Sequence, residues 1–159
     1  MSPSAVERFT EAARARGLDL SPVRYPDGTR TAADAAAAIG CEVAQIVKSL
    51  VVVLDDERPA LALVSGANRL DLAALAAAAG AGTARMADAD EARDATGFAV
   101  GGVPPFGHPA PLPTWVDPDL VGFDVVHAAA GTPDTCVPLT PAELLAATGG
   151  TVSAIAAGA

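Results

Sequence analysis

Apolar and polar positions alternate along this chain in two rhythms, and the rhythm changes at recognisable punctuation. Residues 4–16 place Val6, Phe9 and Ala13 on one helical face, and Gly17 closes the segment. Pro22–Pro26 reads as a short extended piece before a turn at Asp27-Gly28. Thr31 is positioned to cap a helix over Ala32–Ile39, with Asp34 at its third position and Gly40 as its stop. Ile46–Leu54 is β-branched and almost wholly apolar, the pattern of a strand covered on both faces, and it ends in Asp55-Asp56-Glu57. Pro59–Ser65 is expected to be its hairpin partner. Asp71 then caps a helix whose stripe is Leu72, Leu75 and Ala79, and Gly80 ends it. Asp88 caps another, with Glu91 three residues on and Gly97 as its stop.

Residues 97–113 break both rhythms, because four glycines and five prolines exclude regular structure there. Thr114–Val116 and Phe123–Ala128 read as strands around a turn at Asp117-Pro118-Asp119. After a turn at Gly131–Asp134, Thr135–Leu139 reads as a further short strand. Thr140-Pro141-Ala142-Glu143 opens a last helix that buries Leu144 and Leu145 and stops at Gly149. Helices and strands interleave irregularly, so the expected fold is one α/β domain, residues 1–159, around a mixed sheet.

Composition narrows the function. At 51% hydrophobic and 18% charged, 159 residues can bury a substantial core. Only 4% of residues are aromatic and 38 are alanine, so that core must be built mostly from Ala, Val, Leu and Ile. Apolar runs such as Leu50–Leu54 and Ala73–Ala79 are far shorter than the roughly 20 residues of a membrane span. Two cysteines 95 positions apart suggest neither a disulfide scaffold nor a metal knuckle. A soluble, cytoplasmic protein without a metal or cofactor is the expectation. The net charge of −9 excludes a broad electrostatic footprint on nucleic acid, and hence DNA binding of that kind.

Nine of the ten basic residues are arginine; the one lysine is Lys48. Alternation puts Lys48 on the same strand face as Ile46, Leu50 and Val52, where a charge is costly unless it is paired or opens into a cleft. A stem that packs while its ammonium reaches solvent would explain it equally well. The second candidate is the Gly101–Gly107 loop, GGVPPFG. Its glycine pair lets main chain approach a ligand, and its prolines stiffen it. Pro104 and Pro105 forbid the helix that a dinucleotide fingerprint requires, and a rigid surface turn is the plainer alternative. His108 and His127 lack acids or cysteines at ligand spacing. Cys41 and Cys136 fit small buried hydrophobes, Asp117 fits a turn cap, and Trp115 fits core.

Taken in order, these pieces resemble the YbaK/EbsC family, free-standing relatives of the editing domain inserted in bacterial prolyl-tRNA synthetases. The resemblance rests on Gln45–Val51, Ser65-Gly66, Arg69–Leu72, Gly101–Gly107, Val116-Asp117 with Leu120, Ala130-Gly131, and Leu139–Pro141 with Leu144-Leu145. It implies a mixed, mostly antiparallel sheet surrounded by helices, and hydrolysis of small amino acids wrongly esterified to tRNA. It implies Lys48, Gly101 and Gly102 as catalytic, and Tyr25, Ser49, Phe106, Gly107, Gly131 and Cys136 as substrate-binding. The implied partner is the acceptor end of mischarged tRNA, with a synthetase or elongation factor as a candidate to deliver it. Pro104 replaces a serine usual in the cysteine-specific members and Cys136 replaces an acid, so specificity for cysteine does not follow. An aminoacyl ester is already activated, so no side-chain nucleophile is needed; a cation and oriented main-chain groups suffice. The alternative is a non-catalytic module that presents the same cleft to a nucleotide or peptide.

Overall fold

The computed structural model describes residues 3–29 and 31–158. Five helices, α1 (Ala5–Ala15), α2 (Ala32–Ile39), α3 (Leu72–Ala79), α4 (Ala89–Thr96) and α5 (Pro141–Thr148), each start where a side chain caps them. Ser4, Asp88 and Thr140 accept the backbone N–H three residues ahead, and a glutamate at that position bonds back to the cap residue. Thr31 and Asp71 cap without that return bond. Gly40, Gly80, Gly97 and Gly149 stop α2 to α5 in the left-handed conformation that a Cβ would strain. The helix limits expected from the sequence therefore hold to within a residue.

The strands are β1 (Val23–Arg24), β2 (Ile46–Leu54), β3 (Arg58–Ser65), β4 (Asn68–Leu70), β5 (Ala84–Met86), β6 (Thr114–Val116), β7 (Val126–Ala129), β8 (Thr135–Leu139), β9 (Thr151–Val152) and β10 (Ala156–Gly158). The main sheet runs β1-β8-β7-β2-β3-β6-β9, with β5 added on β2, while β4 and β10 form a separate pair. β2·β3, β2·β5, β7·β8 and β1·β8 are antiparallel; β2·β7, β3·β6 and β6·β9 are parallel. The sheet is mixed, as expected. Residues 118–122 form a 3₁₀ turn, and the strand after it begins at Val126 rather than Phe123.

Alternation along β2 and β3 sorts two cores. Val47, Val51, Leu61 and Leu63 join Phe9, Phe98, Phe106, Leu120 and Leu144 beneath α1, α4 and α5. Val52, Leu54, Ala60, Ala62 and Val64 join Leu75 of α3 and Ile155 on the other face. Trp115 packs against this second core, half-buried. A third, small cluster seats α2 on Ile46 through Ala35 and Ala36. Among the described residues, no helix is long and apolar enough to cross a membrane.

Candidate active site

β2 is paired unequally on its two edges. β3 follows it from Val47 to Leu54. On the other edge β7 pairs only with Ile46 and Val47, and β5 only with Val52–Leu54. Between those contacts the sheet splays, and a cavity of about 480 Å³ opens against Ile46, Val47, Lys48, Ser49 and Leu50. Thr29, Thr31, Ala32 and Ala35 wall it from the approach to α2. Val100, Gly101 and Val103 close it from the glycine-proline loop, and His127, Ala129 and Cys136 from β7 and β8.

Lys48 is half-buried on this wall. Its Nζ donates to the main-chain carbonyl of Asn68, the first residue of β4. The start of β4 is anchored in turn through the Asn68 side chain. The Asn68 amide donates to Asp117 Oδ2 at 2.8 Å and to Asp119 Oδ2 at 2.7 Å, and the Ser65 N–H donates to Asp117 Oδ2 at 3.1 Å. Asp117, only 2% exposed, is thus more than the turn cap its sequence suggests: it braces the carbonyl that holds the lysine. No described carboxylate lies within ion-pair distance of Lys48. Burial pulls its ammonium below lysine's ordinary 10.5, and the charge of Asp117 partly opposes that.

The glycine-proline loop meets the cavity at Gly101, whose φ of +93° suits glycine alone. Gly102 lies one step behind. Its N–H donates to Ala99 O and its carbonyl accepts from Gly131 N, both at 3.0 Å. A Cβ on Gly102 would stand 2.7 Å from Thr132 Cα and 2.8 Å from Gly131 O. Gly102 and Gly131 are thus the pair that docks two loops, and a Cβ on Gly131 would meet the Ala5 backbone at 2.8 Å. His108 secures the far end of the loop. Its Nε2 carries the hydrogen, since its partner at 2.9 Å is the carbonyl of Pro104, and burial lowers its pKa.

Four residues expected to bind substrate stand away from the cavity wall. Phe106 stacks on Phe9 at 4.9 Å between ring centroids, under the Arg16 guanidinium, and Gly107 presses against Ala12 of α1. Gly131 faces α1 as described. Tyr25 is fixed through its N–H to Asp134 O at 2.6 Å. Burial raises its phenol pKa, with the Cys136 and Cys41 thiols adding to the shift. Lys48, Ser49, Gly101 and Cys136 do share the cavity. Ser49 Oγ is buried without a hydrogen-bond partner among the described residues.

Thr29 is not among the residues expected at the site, and His127 enters the sequence reading only as a candidate metal ligand; both line the cavity. Thr29 Oγ1 donates to Pro133 O at 2.7 Å and receives the Cys136 thiol at 3.5 Å, tying the approach to α2 onto β8. His127 lies directly beside Ile46 in the parallel ladder, and burial lowers its pKa, so the neutral imidazole prevails at pH 7. In the strand, buried Val126 and Ala128 alternate with half-buried His127 and Ala129, an order that the sequence Val-His-Ala-Ala does not show. No group of three or more His, Cys, Asp or Glu among the described residues could hold a metal ion.

Comparison with known proteins places this geometry. The family described as the aminoacyl-tRNA editing domain matches residues 26–147. A crystal structure of a candidate trans-editing enzyme for prolyl tRNA synthetase superimposes with a TM-score of 0.91 at 48% identity, over 99% of each chain. A candidate Cys-tRNA(Pro)/Cys-tRNA(Cys) deacylase of Enterococcus faecalis, EbsC, is 29% identical over 120 residues, 76% of this chain and 73% of its own. The uncharacterised YwhH of Bacillus subtilis is 30% identical over 120 residues, 76% of each chain.

Proposed function

This chain belongs to the aminoacyl-tRNA editing domain family, and from that membership and the form of its cavity we propose that it hydrolyses the ester of a small, wrongly attached amino acid on tRNA. The observation that carries the reading is the setting of Lys48. The ammonium stands on an otherwise mostly apolar wall, held by a main-chain carbonyl and by no described carboxylate, so its charge is available to an anionic ligand. The terminal phosphate of the tRNA, or the oxyanion that develops on the ester, supplies such a charge.

The ester bond is reactive enough that positioning and electrostatics suffice. Lys48 anchors the acceptor end, and the main chain at Gly101, with Gly102 docking it, orients the attacking water or ribose hydroxyl. Ala32, Ala35, Ala129, Cys136 and Thr29 leave room for a short side chain, and among the described residues no aromatic ring other than the His127 imidazole lines the space. Discrimination by such walls is steric, each methylene being worth roughly 1–3 kcal/mol. Alanine, serine, cysteine or a short non-protein analogue is the substrate class we propose for these walls.

The net charge of −9 disfavours extended contact with tRNA, so recognition is confined to the acceptor end, and a synthetase or elongation factor is the candidate to present it. The test is incubation with a panel of tRNAs charged with different amino acids, following ester loss. Selective hydrolysis of small-residue esters is expected. Preference for phenylalanyl- or tyrosyl-tRNA contradicts the pocket, and no hydrolysis of any ester leaves a non-catalytic binding module as the better account.

A further inference from the structure

The cavity borders five consecutive residues of β2, Ile46–Leu50. A strand sends successive side chains to opposite faces, so only its edge can present an unbroken run to one space. What the cavity meets is therefore main chain as well as side chains. The ladder shows which main-chain groups turn that way. Val51 O accepts from Ala87 N at 3.0 Å, on the side away from β3. Leu63, directly opposite Ser49 in the β2·β3 register, directs its carbonyl to Asp117 N at 2.8 Å, away from β2. Ser49–Leu63 is therefore a pair whose N–H and C=O groups point outward from the hairpin. On that outward side the β7 ladder stops at Val47–Ala128 and β5 starts at Val52–Met86. No described residue bonds the Ser49 N–H or C=O there.

We infer that the Ser49 main chain recognises the aminoacyl group itself, its N–H donating to the ester carbonyl and its C=O accepting from the α-ammonium. An aminoacyl ester carries one acceptor and one donor on a single residue, the complement of what Ser49 presents. In an antiparallel sheet two residues exchange both bonds in this manner, so the substrate adds a strand one residue long. Such pairing reads the α-amino acid and leaves its side chain to the cavity walls. The same N–H also gains strength as negative charge builds on the carbonyl oxygen. This inference rests on the deacylase reading.

The test uses the full chain and a non-hydrolysable probe, 3′-(L-alanylamino)-3′-deoxyadenosine, beside its propionyl counterpart, which lacks the α-amine. On adding the alanyl probe, the Ser49 amide resonance should move downfield and its hydrogen exchange should slow. The propionyl probe should bind at least tenfold more weakly. Ser49→Pro deletes an N–H that no ladder partner uses, the position where a strand tolerates proline. It should bind the alanyl probe at least tenfold more weakly than Ser49→Ala, which keeps the amide, while the Cε resonance of the single lysine stays in place. Equal binding by the two variants overturns the inference, as does a bound probe that leaves the Ser49 amide unmoved. Should Ser49→Pro fail to fold, the shift and exchange of the wild-type amide decide the matter. Wild-type protein that hydrolyses mischarged tRNA but binds both probes equally overturns the pairing and leaves the deacylase reading standing. Wild-type protein that hydrolyses no ester overturns both.

Discussion

The two ends of β2 treat charge in opposite ways. At the hairpin end, Arg85 of β5 donates to Asp56 at 2.7 Å and twice to Glu91 at 2.8 Å, while Asp55 takes Arg58 and the N–H groups of Gly82 and Thr83. These groups are largely exposed, and the pairing holds the Glu91 carboxyl at about 2. At the cavity end Lys48 is half-buried, and among the described residues its hydrogen-bond partner is one carbonyl. Exposed pairs of the first kind add little to stability, since water screens them. A half-buried cation without a described counter-ion adds none, and a perturbed charge in a cleft is the setting that the proposed ligand role calls for. The contrast separates charge that trims a surface from the charge to which we assign the chemistry.

Removing Lys48 breaks the comparison most directly. Lys48→Ala should lower deacylation on the order of 10²–10³-fold while the thermal midpoint holds or rises slightly, because a desolvated charge is lost with it. Near wild-type turnover would end the assignment, and a collapse of the fold would make the lysine structural. Gly102→Val attacks the main chain opposite. The added side chain meets Gly131 and Thr132 backbone, so overpacking should cost roughly 1–3 kcal/mol and activity should fall at least tenfold as Gly101 shifts. Full activity in that variant would remove the loop from the mechanism, and Pro104→Ser should be much milder.

The pH dependence sharpens the contrast. In the proposed mechanism Lys48 acts as the ammonium, so activity should be lost as pH rises through its lowered pKa, placing the alkaline limb below 10.5. Asp117 raises that pKa, so Asp117→Asn should move the limb to still lower pH, several-fold in rate near it. Selective ¹³C labelling of the one lysine reads the midpoint directly; an unchanged or higher midpoint in Asp117→Asn contradicts the coupling. The smallest effect belongs to the hairpin end. Glu91 has a depressed folded-state pKa, so its contribution is present above the ordinary carboxylate value of 4.5 and fades as pH falls toward about 2. Glu91→Gln should lower the thermal midpoint slightly at pH 7, lose that difference near pH 2, and leave deacylation unchanged.

What was legible in the sequence was local. Thr31, Asp71, Asp88 and Thr140 named their helix starts, and the β-branched run of Ile46–Leu54 named the central strand. Lys48 announced itself by residue type against an apolar background. The three-residue strands Asn68–Leu70 and Ala84–Met86 did not, because pairing partners rather than their own composition hold them extended. Phe106, Gly107 and Gly131 sit within cavity-building motifs but face α1, and nothing in a loop's sequence states which neighbour it docks on. His127 and Thr29 reach the cavity only because β7 lies beside β2 and β8, to which Thr29 is tied through Cys136, lies beside β7.

The spread of the cavity walls along the chain, from Thr29 to Cys136, bears on when during synthesis the site can exist. The β2–β3 hairpin and the capped helices are contacts between near neighbours and can form early. β1 waits for β8, since Val23 pairs with Cys136, and the splay beside β2 gains its second wall only when β7 docks. Contacts this distant in sequence are the slow ones. A nascent chain halted before residue 126 would therefore carry its lysine on a finished hairpin without a cavity to serve, and activity would appear abruptly as the last third of the chain emerged.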